Sequence, residues 1–212
     1  MRIVAISDTH GLHRQIKIPD GDLLIHAGDL TRHGTMVELA DVAEWLKSLP
    51  HRYKLVIAGN HDQCLQDDPV AVELLQSTGA TYLHDQLVVI AGLRIYGSPW
   101  QPIFRNMAFN LPRGAALRAI WRRVPAMLDV LITHTPPQNI RDRTFLGMCV
   151  GCADLAEELP RIRPRVHIFG HIHEAVGITT ERDTIFANAS AIDLLRRPVN
   201  MPFEIDLQLQ KT

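Results

Sequence analysis

Five apolar runs of strand length each end in a turn that presents aspartate, asparagine or histidine. Arg2 to Ser7 precedes Asp8-Thr9-His10, Leu23 to Ala27 precedes Gly28-Asp29, and Tyr53 to Ala58 precedes Gly59-Asn60-His61-Asp62. Leu128 to Thr133 precedes His134, and Val166 to Phe169 precedes Gly170-His171-Ile172-His173. An aspartate inside so apolar a strand would lose its hydration without compensation. Just past the strand's carboxyl end it can hold a cation at the edge of a sheet, and in a layered α/β fold those ends converge on one rim. Distant residues can therefore meet, which makes Asp8, His10, Asp29, Asn60, His61, His134, His171 and His173 the candidate site.

The segments between the runs support crossover connections. Thr35 and Glu38 have capping-box spacing, and Val37, Ala40, Val42, Trp45 and Leu49 recur near the helical period until Pro50. Asp68-Pro69 reads as a cap followed by proline at the first helical position, with Val70, Val72, Leu74 and Leu75 as the expected buried face and Gly79 as the stop. Thr81 to Leu83, Gln86 to Ala91 and Leu93 to Tyr96 are short runs parted by turn residues, the pattern of a meander or hairpins. Ser98 to Pro112 and Asn139 to Gly151 are irregular, while Arg113 to Val124 and Cys152 to Leu159 read as helices. Ala175 to Thr180, Thr184 to Ala187 and Phe203 to Leu209 read as closing antiparallel strands, broken at Asn188-Ala189-Ser190. No repeat or linker interrupts the chain, so one domain over residues 1–212 is expected.

Bulk properties exclude several classes. A net charge of −1 with mixed signs gives no general attraction to nucleic acid or anionic membrane. The first apolar run is too short for a secretory segment and none is long enough to span a bilayer, so a cytoplasmic protein is expected. Cys64, Cys149 and Cys152 are too few for a disulfide framework, and the CxxC spacing of the last two reads as ordinary packing. His13, His26, His33, His51 and His84 stand outside the strand-end pattern and read as core or surface residues.

Oxygen and imidazole donors without thiolates suit Mn, Fe, Ni or Zn, and the candidates are numerous enough for two ions. In order, the elements resemble the DxH, GD, GNH, lone H and GHxH pattern of the calcineurin-like metallophosphoesterases, over essentially the whole chain. Val56-Ile57-Ala58-Gly59-Asn60-His61, Gly97-Ser98-Pro99-Trp100, Phe109-Asn110-Leu111-Pro112-Arg113-Gly114, Thr133-His134-Thr135-Pro136-Pro137 and Asn188-Ala189-Ser190 resemble the small branch related to the brain-expressed members.

The resemblance implies a four-layer α/β/β/α sandwich of two mixed sheets with a dimetal site at the rim. Carried over residue by residue, it gives one ion to Asp8, His10 and His173 and the other to Asn60, His134 and His171, with Asp29 bridging. It implies attack on a phosphoester by a metal-bridging hydroxide, with His61 as a non-ligating catalytic residue that stabilises charge or protonates the leaving oxygen. His171, the first histidine of GHxH, can be missing in the brain-expressed branch; its presence implies a full metal complement and turnover. Asp62 departs from the glutamate common after GNH, and either acid could fix a neighbouring histidine.

The expected activity is hydrolysis of small organic phosphodiesters, cyclic nucleotides among them, with manganese as the first metal to test. A phosphomonoesterase or nucleotidase and a metal-stabilised binding module are the alternatives. One of Arg105, Arg113, Arg141 and Arg143 could grip a phosphate, and Trp100, Phe104 and Phe109 could either wall a nucleobase or pack within their loop. The two irregular loops could cap the site or form a homo-oligomer interface.

Overall fold

A computed structural model describes residues 1–208. Its first sheet runs β13-β1-β2-β3-β4, built from β1 (Arg2–Ile6), β2 (Leu23–Ala27), β3 (Tyr53–Ile57), β4 (Thr81–Tyr82) and β13 (Phe203–Asp206). The second runs β11-β12-β10-β9-β6-β5, from β5 (Gln86–Ile90), β6 (Leu93–Ser98), β9 (Val130–Thr133), β10 (Val166–Phe169), β11 (Gly177–Glu181) and β12 (Thr184–Asn188). Each sheet has a parallel interior, β1 to β4 in one and β6, β9, β10 and β12 in the other, with antiparallel strands only at edges. Both are therefore mixed sheets, as the resemblance implies.

Side-chain alternation explains the layering. Ile3, Ala5, Leu23, Ile25, Leu55 and Ile57 meet Ile95, Val130, Ile132, Val166 and Ile168 in one buried cluster between the sheets. Their neighbours Val4, Ile6, Leu24 and Val56 face α1 (Met36–Ser48), α2 (Gln63–Asp67) and α3 (Pro69–Gln76). Tyr96 and Leu131 face α4 (Ala115–Arg123) and α5 (Ala153–Ile162). With a side-chain period of two and both faces covered, these strands had to be apolar throughout.

The helices begin as their caps dictate. Thr35 and Glu38 form the reciprocal capping box, worth about 1 kcal/mol, and the Asp68 carboxylate accepts from Val70 N before Pro69 at the first turn. Their buried faces correct the sequence reading. On α1 the stripe is Leu39, Val42, Ala43, Trp45 and Leu46, while Val37 is 82% exposed on the first turn. On α3, Ala71 and Leu75 are buried and Val70 points outward. α5 runs through Pro160 to Ile162.

The meander reading holds only for β5 and β6, a hairpin whose turn places Ala91 and Gly92 at positive φ. Thr81–Tyr82 instead pairs parallel with β3, because α3 carries the chain back across the first sheet. Within the 98–112 loop, β7 (Gln101–Pro102) and β8 (Asn110–Leu111) form a two-residue parallel pair. Residue 209, the expected end of the last strand, lies outside the described residues. No helix among them is long and apolar enough to cross a membrane.

The segment after β12 stitches the sheets together. Ser7 N donates to Ala189 O at 2.8 Å and Ala191 N donates to Ser7 O at 2.8 Å, so a chain leaving the second sheet pairs with the end of β1 in the first. Asn188-Ala189-Ser190, expected as a break, thus locks the rim where both sets of strand ends lie.

Candidate metal centre

The strand ends turn sharply. Asp8 (φ 53°), His10 (φ 42°), Asp29 (φ 54°) and His171 (φ 70°) all have positive φ, a region non-glycine residues rarely occupy. Backbone bonds fix these turns, with Asp8 N donating to Gly28 O at 2.9 Å and His10 N to Asp29 O at 3.0 Å. The carboxylates brace the neighbouring loops: His171 N donates to Asp8 Oδ2 at 3.1 Å, and His61 N to Asp29 Oδ1 at 2.8 Å. Close approach also explains Gly28, where a Cβ would lie 2.7 Å from Ala58 O and from His134 Nδ1.

Three groups of donor atoms lie within 4.8 Å of one another: Asp8, His10 and His173; His10, Asp29 and His61; and Asp8, Asp29 and His134. Asp29 Oδ2 lies 3.5 Å from His10 Nε2 and 3.5 Å from His134 Nε2. His173 Nε2 lies 3.4 Å from Asp8 Oδ1. Asn60 Oδ1 is 3.0 Å from His134 Nε2, and the His171 ring centre is 5.1 Å from that of His134. All eight candidate residues therefore gather at one rim, although His171 belongs to none of the tight donor groups.

Two features show that the donors suit cations. Both ring nitrogens of His10 are buried without a hydrogen-bond partner. His134 Nδ1 lies 3.0 Å from Ala27 O and donates to it, and Nε2 faces the oxygens of Asn60 and Asp29. Two oxygens facing one ring nitrogen in a buried site call for positive charge there, a proton on Nε2 or a cation in its place.

The electrostatics agree. Burial alone would raise the Asp8 and Asp29 carboxyls, but the surrounding imidazoles outweigh it and hold both below the usual carboxylate range. Burial lowers His10 to about 4 and, with His134 beside it, His171 to about 3. Burial would also lower His134, yet Asp29 and Asp8 overcome it and raise the imidazole to about 9. Two ionised acids, the neutral imidazoles of His10 and His171, and a His134 ring that would give up its Nε2 proton to a cation form a competent donor set.

The supporting residues correct one expectation and add two. Asp62 touches no histidine; its carboxylate accepts from Leu30 N (3.2 Å), Thr31 N (2.9 Å), Thr31 Oγ1 (2.7 Å) and Gly59 N (2.9 Å). It ties the loop after β2 to the loop after β3, and burial with Asp29 nearby pushes it up to about 6 despite those donors. His61 instead has Nδ1 2.7 Å from Arg32 O. Asn188 Nδ2 donates to Ile172 O at 2.9 Å, holding the turn between His171 and His173, and Asn60 Nδ2 donates to Met107 Sδ at 3.1 Å. Neither contact has a spacing signal, since both partners are remote in sequence.

A cleft of about 580 Å³ opens over Asp29, Asn60, His61, His171 and His173. Phe104 reaches it, its ring 5.6 Å from that of His171, whereas Phe109 is fully buried and packs against Trp100. Arg105 and Arg113 line it, but Arg113 already donates to Val150 O and Gly151 O, and Arg141 donates to Val176 O and Ile178 O. A second cavity of about 570 Å³, between α5 and the β11–β12 edge, contains none of the candidate ligands.

Comparisons with known proteins converge on this architecture. Residues 1–175 match the calcineurin-like phosphoesterase family model. The human metallophosphoesterase domain-containing protein 1 is 43% identical over 97% of this chain and 71% of its own length. A Caenorhabditis elegans relative, UPF0046 protein K07C11.7, is 39% identical over 90% of this chain and 69% of its own length. Among solved structures, TT1561 of Thermus thermophilus superposes with a TM-score of 0.58 at 16% identity, over 88% of each chain. One described as a novel archaeal phosphodiesterase gives 0.50 at 16% identity, over 98% of this chain and 100% of that one. With the fold, the strand-end donors and the family model in agreement, the chain belongs to the calcineurin-like phosphoesterases.

Proposed function

We propose that this chain is a dimetal phosphodiesterase acting on organic phosphodiesters, with cyclic nucleotides among the first to be screened. The observation that carries this reading is Asp29, whose Oδ2 lies equally far, 3.5 Å, from the Nε2 atoms of His10 and His134. This equidistance supports reading Asp29 as a carboxylate shared by two sites. Asp8, His10 and His173 would hold one ion, and Asn60, His134 and His171 the other. When bound, such a pair acidifies water and offsets phosphate charge, and a mixed set of oxygen and imidazole donors suits manganese as well as iron, nickel or zinc.

The protein's own groups do the rest. Asp62 and Asn188 keep the donor loops at fixed separation. His61, with Nδ1 held by Arg32 O, has Nε2 free to exchange a proton with the leaving oxygen. Arg105 adds a positive charge to the cleft wall for the phosphate.

The direct test is hydrolysis of bis-p-nitrophenyl phosphate by purified protein. Activity should appear with Mn²⁺ and vanish on chelation. A metal-replete protein that hydrolysed neither this diester nor p-nitrophenyl phosphate would overturn the reading. Faster turnover of a linear nucleoside monophosphate than of its cyclic diester would reassign the chain as a monoesterase.

A further inference from the structure

The mouth of the cleft is unusually apolar. Of the fifteen large hydrophobic side chains exposed among the described residues, nine lie in three loops, 103–104, 145–148 and 194–201. Each loop reaches the cleft: Ile103, Phe104, Met148 and Leu194 line it together with the candidate metal ligands. Single exposed hydrophobics need no explanation, whereas a concentration around one opening marks a binding surface.

The loops are pinned at their bases while their apolar tips remain uncovered. Asn110 accepts from Phe104 N at 3.2 Å and donates to Arg105 O at 3.0 Å. Phe145 N donates to Glu174 Oε1 at 2.9 Å, beside His173, and Asn200 Nδ2 donates to Ser190 O at 3.1 Å. Positive charge stands in the same loops, exposed beside the apolar side chains. Arg105 and Arg196 line the same cleft, and among the described residues neither has a carboxylate partner. The opening thus has the candidate metal ligands Asp29, Asn60, His171 and His173 in its lining, and apolar side chains with two arginines around its mouth.

We propose that the substrate is an amphiphilic phosphodiester, whose phosphate enters the metal-ligand floor and whose long alkyl or acyl chain lies across Ile103, Phe104, Met148 and Leu194. This rests on the phosphodiesterase reading and narrows it to a substrate class. A small hydrophilic diester would leave the rim exposed. Burying an alkyl chain there is favourable by about fourfold in affinity per methylene.

Methyl p-nitrophenyl phosphate and octyl p-nitrophenyl phosphate differ only in the chain. In each, water adds its oxygen to phosphorus, the bond to the p-nitrophenyl oxygen breaks, p-nitrophenolate leaves, and the alkyl phosphate remains with protons released to solvent. Below micellar concentrations and with Mn²⁺, burial of only two methylenes predicts a kcat/KM ratio of about 15 in favour of octyl, expressed in KM. Met148→Ser with Leu194→Ser should bring that ratio down by about tenfold; the ratio is the readout, not the absolute rate. Titration calorimetry with octylphosphonate and methylphosphonate, neither of which is hydrolysed, should show the same preference and the same loss.

Equal kcat/KM for two diesters that are both hydrolysed would overturn the amphiphile proposal and leave the phosphodiesterase reading standing. Hydrolysis of neither would overturn that reading and this substrate class with it. A stable dimer in sedimentation, dissociated by the double substitution, would show that a second copy of the chain covers the rim and would overturn the proposal as well.

Discussion

His134 Nε2 lies 3.0 Å from Asn60 Oδ1 while Nδ1 of the same ring faces a backbone carbonyl. A neutral imidazole has one proton, so one of these oxygens faces a lone pair unless positive charge lies between them. With this imidazole raised to about 9, that charge is a second ring proton unless a metal ion takes its place, and the consequences of removing the parts of the site can be ranked.

Asp29→Asn keeps the shape but replaces one carboxylate oxygen by an NH₂ donor. Because Asp29 belongs to one donor group with His10 and another with His134, both sites should weaken, and metal content by mass spectrometry should fall well below two per chain. Turnover should drop by more than the ~10–100-fold typical of changes outside the ligand set. Retention of two tightly bound ions with full turnover would remove Asp29 from the shared position.

His61→Ala should behave differently. Its ring stands beside His10, with centroids 4.5 Å apart, and the residue is partly exposed in the cleft. Loss of a group that exchanges a proton should lower kcat by roughly 10²-fold or more while metal content stays nearly unchanged. Unchanged kcat in the metal-replete variant would show that His61 has no such role.

Asp62→Ala removes an acceptor from three backbone N–H groups and the Thr31 hydroxyl in a fully buried setting. Orphaning these donors should destabilise the fold by about 3 kcal/mol or more. Urea denaturation at neutral pH would read this as a lower midpoint with an unchanged slope. A midpoint within error of the parent would show that water replaces the carboxylate at no cost.

The strands and the candidate ligands were legible because both depend on local chemistry: apolar runs buried on two faces, then metal-type side chains at the turn. Legibility ended where neighbours decide. Val37 and Leu39 both fit a helical stripe, and only the packing of α1 on the first sheet selects Leu39. Thr81–Tyr82 is too short to carry a period, so its pairing with β3 reflects where α3 returns the chain. Asp62 reads as a histidine's partner because it follows one in sequence, but the turn after β3 aims it at Leu30 and Thr31. Asn188 and Met107 support the site across long sequence separations, which no local pattern encodes.

The two sheets carry matching buried histidines, and these should set the acid limit of stability. His26 in β2 has Nε2 3.0 Å from Thr9 Oγ1, and His167 in β10 has Nε2 2.8 Å from Thr133 Oγ1. Each threonine hydroxyl donates onward, to Leu30 O and Thr135 O respectively, so each Nε2 bears a proton. The remaining Nδ1 of each ring is buried with no partner, and burial lowers both imidazoles to about 3. The unfolded chain protonates them near pH 6.5, so it binds more protons than the native state between about pH 6.5 and 3. Stability is then fully present above pH 6.5 and declines as pH falls through that window. From pH 7 to 4.5 each ring should contribute a loss of about 2 to 3 kcal/mol. His167→Gln, which retains a donor for Thr133 but cannot titrate, should show a decline shallower than the parent by that amount in urea melts across the range. An identical pH dependence in the two proteins would show that His167 protonates in the native state.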